Sequence, residues 1–501
     1  MTLAAACGWS LVRSLAVALL AWPICRQQSP WLEGMPHPWR RLAWFGAAVP
    51  FLCPELWTGY AWSGFALRLS GTEFWNLFPS GLFPSPQAIV ARDAAVDELL
   101  LDLLLFFRAV PVGTLAMYFA PPPPLSAEAV YCRDVALAKN QGDGSLRRNW
   151  LGFALRRRWH AALPAVALMF LVSFQEFELV SLIRRPGWTV WLFDAQVQGL
   201  ALSESLRLVI LPVVCQVVVL APVAWWLIAN RSGAPLATSP ASSPAGPQPG
   251  KWLFLLLSAG FVLVIPALLV GRGSFDGLAR VIGNRELIRS RLGEILIGAG
   301  YALAAALASV LLAAPLLQSA RASRPARAML AAGALPGLFG SLVLSLALIR
   351  LLQLPYLHVL YRSPLGMAAA LALFLLPRAL VLRLMLSSSR RYGGGHAAHL
   401  LSRSPSRAVR AAARELAWQL QWRAEFWSIA LLTYWAYLDL TIAYLLAPET
   451  IVSAPVTLYN QMHFGKNAVL SALVFLTVLV PALVFVFASA SRRFLFRWIW
   501  R

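Results

Sequence analysis

Charge is scarce in this chain. Only 13% of its 501 residues are charged, about half the share usual in a soluble protein. The longest polar stretch runs to about forty residues, so no soluble domain fits. Cysteine is sparse too. The five cysteines, Cys7, Cys25, Cys53, Cys132 and Cys215, show no CxxC and no paired spacing, which argues against structural disulfides and metal cages. Six scattered histidines give no clustered face of His, Asp or Glu for a membrane-embedded enzyme. There is no G-x-x-x-x-G-K-[ST] loop to hold a nucleotide. Strand-length segments with period-two alternation, the mark of a membrane β-barrel, are missing as well. No catalytic residue, cofactor or metal site is expected on these grounds.

What the chain does have is apolar length. Hydrophobic residues make up 59% of it. Runs such as 252–271, 328–352 and 467–489 match or exceed the roughly 20 residues that cross a bilayer. The expected fold class is all-α, a multi-pass membrane protein of eleven helices. Five lie in a first half, at 3–24, 41–67, 95–120, 161–183 and 206–229. Six lie in a second, at 252–271, 293–317, 328–352, 365–388, 425–447 and 467–489. The segment 3–24 has no convincing cleavage site and reads as a retained span rather than a signal peptide. The segment 230–251, rich in Pro, Ser, Ala and Gly, reads as a linker between halves 1–229 and 252–501.

The net charge of +22 does not call for nucleic acid. Nearly all of the excess is arginine in short loops beside apolar runs. Loops 25–41, 121–160, 230–251, 318–327, 389–424 and the tail from 490 hold about 26 basic residues, against about 10 on the other face. The first face is the cytoplasmic one by the positive-inside rule. The N-terminus is then external and the C-terminus internal. About half of the external basic residues fall in 272–292.

Two stretches about 263 residues apart are alike. RRRWHAALPAVALMFLVSFQEFELVSLI starts at Arg156, and LQWRAEFWSIALLTYWAYLDLTIAYLL at Leu420. Each has a Trp (Trp159 after a basic run, Trp422 with Arg423 next to it), an apolar helix, and one acid at an identical spacing (Glu176, Asp439). A proline follows in each (Pro186, Pro448). Other segments pair as well: SLVRSLAVALLAWPIC from Ser10 with ALAAALASVLLAAPLL from Ala302, and LFFRAVPVGTLAMYF from Leu105 with LALFLLPRALVLRLM from Leu371. Nothing in the first half answers to 252–271. The pattern predicts two homologous halves in parallel orientation.

A long basic loop precedes the penultimate helix of each half. In the second it contains HAAHLLSRSP from His396. This resembles the coupling loop of binding-protein-dependent ABC transporter permeases, roughly E-A-A-x-x-x-G. Ala397 and Ala398 match; His396 stands for Glu and Ser402 for Gly. The flanks LYRSPLGMAAALALFLLPRALVLRL and TYWAYLDLTIAYLLAPETIVSAPVTLYNQMHFG resemble fused permeases of the Fe(III)- and thiamine-uptake type. In the first half, Arg133, Asp134 and Val135 align with His396, Ala397 and Ala398. Glu128-Ala129 offers another register. The resemblance covers nearly the whole chain. It implies a permease subunit in a bacterial inner membrane, with ATPase subunits docking inside on His396, Ala397, Ala398, Leu401, Ser402 and the first-half loop. It also implies a substrate-binding protein outside and Fe(III) as substrate, with thiamine or phosphonate-like anions as alternatives.

Several residues carry a second reading. His396 and His399, three apart, make a metal pair only with a third ligand. Glu176 and Asp439 lie in or near spans, where an ionisable group is a candidate for the permeation path; the structural alternative is that each ties down the segment after it. Arg108, Arg350, Arg378 and Arg383 lie towards helix ends, where they can snorkel. Gly333, Gly337 and Gly340 fit close helix packing. The aromatic tail 494–500 fits an interfacial anchor. Two rival functions stay open: an ion-driven secondary transporter, which needs helices broken at midplane, and a degenerate permease whose eroded loops couple weakly.

Overall fold

The computed structural model describes residues 2–70, 86–119, 131, 162–229, 248–322, 324–361, 363–389, 392–448, 451–462 and 467–499. All regular structure among them is helical. Seven helices there are long and apolar enough to cross a membrane, or up to nine if each of two bent pairs is one span. Many large apolar side chains remain exposed on them, including Leu256, Leu268, Leu311 and Phe487. Exposed side chains of this kind on long apolar helices suit a lipid surround rather than water. The described residues are thus those of an all-α, multi-pass membrane protein.

The expected eleven spans and the observed seven to nine differ where helices break. The segment 41–67 is split after His37–Leu52, because Pro54 has no N–H to continue the ladder and forces Cys53 into extended backbone (φ −70°, ψ 129°). Glu55–Trp62 and Phe65–Ser70 follow as short helices. The segment 161–183 is described from 162, and Ala162–Phe174 gives way to Glu178–Leu182 after a short break. In the second half, Ala328–Leu338 and Ser341–Leu352 meet at 103°, and Arg423–Leu438 and Leu440–Leu446 at 57°. The first of these bends turns on Gly340, whose φ of +89° only glycine adopts without strain.

The chain forms two compact units. Unit 1 comprises 1–53, 62–191 and 214–266. The helix Leu3–Gly34 packs along Pro86–Phe119 there. The unit also takes in the start of the span Pro249–Gly283. Trp252 packs edge-on against Trp31 (5.5 Å) and Trp39 (6.2 Å), and Lys251 Nζ donates to the Gln27 carbonyl at 2.7 Å. Unit 1 thus runs past the expected linker 230–251 to 266.

Unit 2 comprises 54–61, 192–213 and 267–501. Its core joins Arg285–Ala322, Pro364–Ser389 and Arg423–Leu438 around alanines 302, 305, 306, 370, 372 and 379. Small side chains let these spans approach closely. Gly337 serves the same end: a Cβ there would lie 2.5 Å from the Leu373 carbonyl oxygen. Gly340 acts through its backbone angle instead.

Candidate functional site

Both acids singled out by the repeat sit at helix breaks, and both do the same local job. The carboxylate of Glu176 accepts the Leu179 N–H at 3.0 Å. That of Asp439 accepts the Ile442 N–H at 2.8 Å. Each therefore satisfies an orphan donor in the first turn of the short helix that follows. Glu176 belongs to unit 1 and Asp439 to unit 2.

The surroundings differ. In unit 1 the break is laced to its neighbours. Glu176 is buried, and Thr189 Oγ1 donates to its carbonyl at 2.8 Å. The Trp188 indole donates to the Phe174 carbonyl at 2.7 Å, and the Trp188 backbone N–H to Ser10 Oγ at 3.2 Å. The turn between, 183–187, is fixed by ion pairs. Glu98 accepts from Arg13 at 2.5 Å and from Arg185 at 2.8 Å. Arg13 also donates to the Pro186 carbonyl at 3.1 Å. Arg184 takes φ +60° in this turn, and the N–H of Arg185 reaches back to the Val180 carbonyl at 2.9 Å. That back-bond is the usual way to close a helix C-terminus.

In unit 2 three helix starts share one set of polar groups. Asp439 caps Leu440–Leu446. Ser341, which opens Ser341–Leu352, lies beside its carboxylate. Glu55, which opens Glu55–Trp62, lies within electrostatic range. The cation among them is Arg378, from the unbroken helix Pro364–Ser389. Its guanidinium sits 4.0 Å from the Phe374 ring centroid and 5.8 Å from that of Trp435. Cation–π contact of this kind holds a charge in place while leaving its donors usable. All four polar residues are half-buried. The sequence marked Asp439 for the path and Arg378 only as an arginine able to snorkel; it did not bring the two together. Ser341 and Glu55 lacked any signal beyond their position after a Gly or Pro break.

Arg108 corrects an expectation. It does not snorkel; it is 2% exposed and donates to the Cys53 carbonyl at 2.6 Å. It closes the C-terminus of His37–Leu52, where a cation also suits the helix dipole.

The second-half loop forms a helical hairpin, Tyr392–Ser402 against Arg407–Ala417. Its turn is held by Arg410, which donates to the carbonyls of Ser404 and Pro405, each at 2.8 Å. Ser402 Oγ donates to the His399 carbonyl at 2.6 Å and stays within the first helix. The turn is thus built on Ser404 and Pro405, not at the position aligned with the family glycine. Ala398 is buried in the hairpin at 3% exposure, whereas Ala397, Leu400 and Leu401 are exposed. His396 lies on the same helix. Arg133, Asp134 and Val135 lie outside the described residues. No group of three or more His, Cys, Asp or Glu able to hold a metal occurs among the described residues.

No protein-family model, curated protein or solved structure matches the chain.

Proposed function

We propose that this chain is the membrane-spanning permease subunit of an ATP-driven importer of the ABC type, with two permease halves fused in one polypeptide. The observation that carries the reading is the helical hairpin 392–417. It is a pair of short helices with small and leucine side chains outward, joined directly to the broken span that ends at Asp439. Such a hairpin can take a push from an ATPase and pass it to a span as rigid-body motion. The shared capping role of Glu176 and Asp439 supports the duplicated halves. ATP hydrolysis belongs to a separate chain, and a substrate-binding protein serves the outer face. Fe(III) is the substrate favoured by resemblance, ahead of thiamine and phosphonate-like anions.

The test is Ala397→Trp. Ala397 is exposed and Ala398 is buried, so bulk at 397 blocks an outside partner while the hairpin keeps its packing. The expected result is loss of ATPase co-purification and of uptake, with yield of folded protein unchanged. Co-purification equal to that of the unsubstituted chain would sink the docking role.

A second reading has its own observation. Three helix starts gathered around Arg378 and Asp439 are the broken-helix arrangement that an ion-driven transporter uses. Uptake into proteoliposomes separates the two. ATP dependence with insensitivity to a protonophore favours the importer. Collapse of uptake on adding the protonophore, without any ATPase present, favours ion coupling.

A further inference from the structure

Two helices of unit 1 begin side by side, and neither beginning is capped by a side chain. His37–Leu52 follows Pro36, and Pro249–Ala259 follows Gln248; neither of these residues gives the first turn a side-chain acceptor. Helix starts left in this way carry partial positive charge. Their closeness shows in the rings: Trp252, near the start of the second helix, lies 6.2 Å from Trp39, near the start of the first. Further along, Ala43, Ala47 and Leu255 join one apolar cluster, and a Cβ on Gly46 would lie 3.8 Å from the Leu255 side chain. Small side chains on one helix thus seat the other.

Basic residues gather at the two starts. Arg40 and Arg41 are exposed near the start of His37–Leu52, and Arg26 is exposed on Leu3–Gly34; none forms an ion pair among the described residues. Lys251 donates to the Gln27 carbonyl, and its ammonium lies 5.8 Å from the centre of the Trp31 ring. Across 25–53 and 248–266 the only acid is Glu33. The deepest polar group is the Trp31 indole. It is 2% exposed, and its N–H has no acceptor among the described residues. A buried donor left unpaired is costly, and its neighbours Lys251 and Trp252 are donors as well. The cluster suits an acceptor that carries negative charge.

An apolar track leads away from these donors. Trp39, Leu42 and Phe45 are exposed along one side of the first helix, and Leu253, Leu256 and Leu257 are exposed on the second. The second helix opens the membrane span Pro249–Gly283, so apolar side chains exposed on it suit lipid tails.

We propose that these two helix starts form a binding site for an acidic phospholipid. Its phosphate sits among Arg40, Arg41, Lys251 and the Trp31 indole, and an acyl chain follows Trp39, Leu42 and Phe45. Basic pockets between membrane helices are a common seat of such headgroups. A free phosphate would satisfy the donors and leave the apolar track bare. A soluble acidic protein would not follow that track along a span. A second copy of this chain would set arginine against arginine, and like charges across an interface are costly. The site is independent of the importer reading, since neither the hairpin nor an ATPase enters it.

The experiment places the photocrosslinking residue benzoylphenylalanine at Leu42 of the full chain, in liposomes of phosphatidylcholine with a minority of phosphatidylglycerol. Leu268, exposed on the span Pro249–Gly283, is the control position. Mass spectrometry of the adducts gives the share of each lipid. Both leaflets have the same composition, so the result does not depend on which face is cytoplasmic. One basic residue near a membrane surface favours an acidic lipid about fivefold. Phosphatidylglycerol should therefore be enriched at 42 over 268 by at least about fivefold. The triple variant R40Q/R41Q/K251Q should bring the two positions level while total adduct at 42 persists. Trp31→Phe, which keeps a ring and removes the N–H, should lower the enrichment at least about twofold. Equal shares at 42 and 268 in the unsubstituted chain would overturn the proposal. So would an enrichment that the triple variant keeps or that Trp31→Phe leaves unchanged. Loss of the enrichment on adding glycerol phosphate would point to a soluble anion and overturn it as well. In intact cells, an adduct at 42 with protein in place of lipid would do the same. The comparison of 42 with 268 needs no change to the basic residues, so it decides the matter if the triple variant fails to fold.

Discussion

The two acid-capped breaks make a controlled comparison inside one molecule. Each follows an apolar helix, Ala162–Phe174 or Arg423–Leu438, and each uses a carboxylate to cap the short helix that comes next. In unit 1 the following turn is tied by charged and backbone bonds to two long helices through Arg13, Glu98 and Arg185. In unit 2 the cap shares its space with Arg378, Ser341 and Glu55, and Arg378 rests on aromatic faces. The first arrangement is a fixed bracket. The second gathers three breakable joints, one of them a glycine hinge at 103°. Local chemistry makes the break in both; the anchoring around it decides whether the break can serve motion.

The largest expected effect tests the bracket. Glu98→Ala removes the shared partner of two arginines whose side chains are 3% and 18% exposed. Arg13 keeps Asp102 at 3.5 Å, so the cost falls towards the lower end of the about 3–5 kcal/mol of breaking a buried pair, to be read by denaturant or thermal unfolding in detergent. The double variant Arg13→Met with Glu98→Leu should recover a large part of that loss, because it removes the stranded charge on Arg13 as well. A loss under about 1 kcal/mol for Glu98→Ala would make the bracket a surface-like pair and dissolve the contrast.

Next comes the hinge. Gly340→Ala forces a side chain into φ +89°, with an expected cost of about 1–3 kcal/mol. If the hinge moves in transport, uptake should fall further than folded yield. Equal falls would make Gly340 a purely structural joint.

The smallest effect separates the two caps. Glu176→Ala and Asp439→Ala should each cost about 0.5–2 kcal/mol, the usual value of an N-cap. Asp439→Ala should also lower transport, because it removes the carboxylate within electrostatic range of Arg378, while Glu176→Ala should not beyond its stability cost. Matching transport losses from both would return the two acids to one shared role.

Much of this was legible in the residues. Low charge and long apolar runs gave the helical membrane class. The identical Trp-to-acid spacing picked out both caps. The breaks at Pro54 and Gly340 were not foreseen, since 41–67 and 328–352 read as unbroken spans and Gly340 as a packing glycine. The long basic loop before Trp422 stood out, and it forms the helical hairpin 392–417. Less legible was which side of that loop faces outward. Ala397 and Ala398 are neighbours of the same type, and only the packing of the hairpin buries one and exposes the other. The snorkelling expected of Arg108 failed for a similar reason, since a buried carbonyl 55 residues away was within its reach.

The division follows from range. Helix formation, breaks and caps depend on groups within about four residues of one another, so the order of residues determines them directly. Partner choice depends on what folding brings to each charge. Glu98 meets Arg13 and Arg185 across 85 and 87 residues, and Asp439 comes within electrostatic range of Arg378 from another helix. In a low-dielectric interior an unpartnered charge is costly, so such groups pair with whatever the fold delivers. The sequence by itself determined the helices, their breaks and the capping acids. Only the tertiary structure decided that one break would be bracketed and the other left beside a charged, aromatic-lined node.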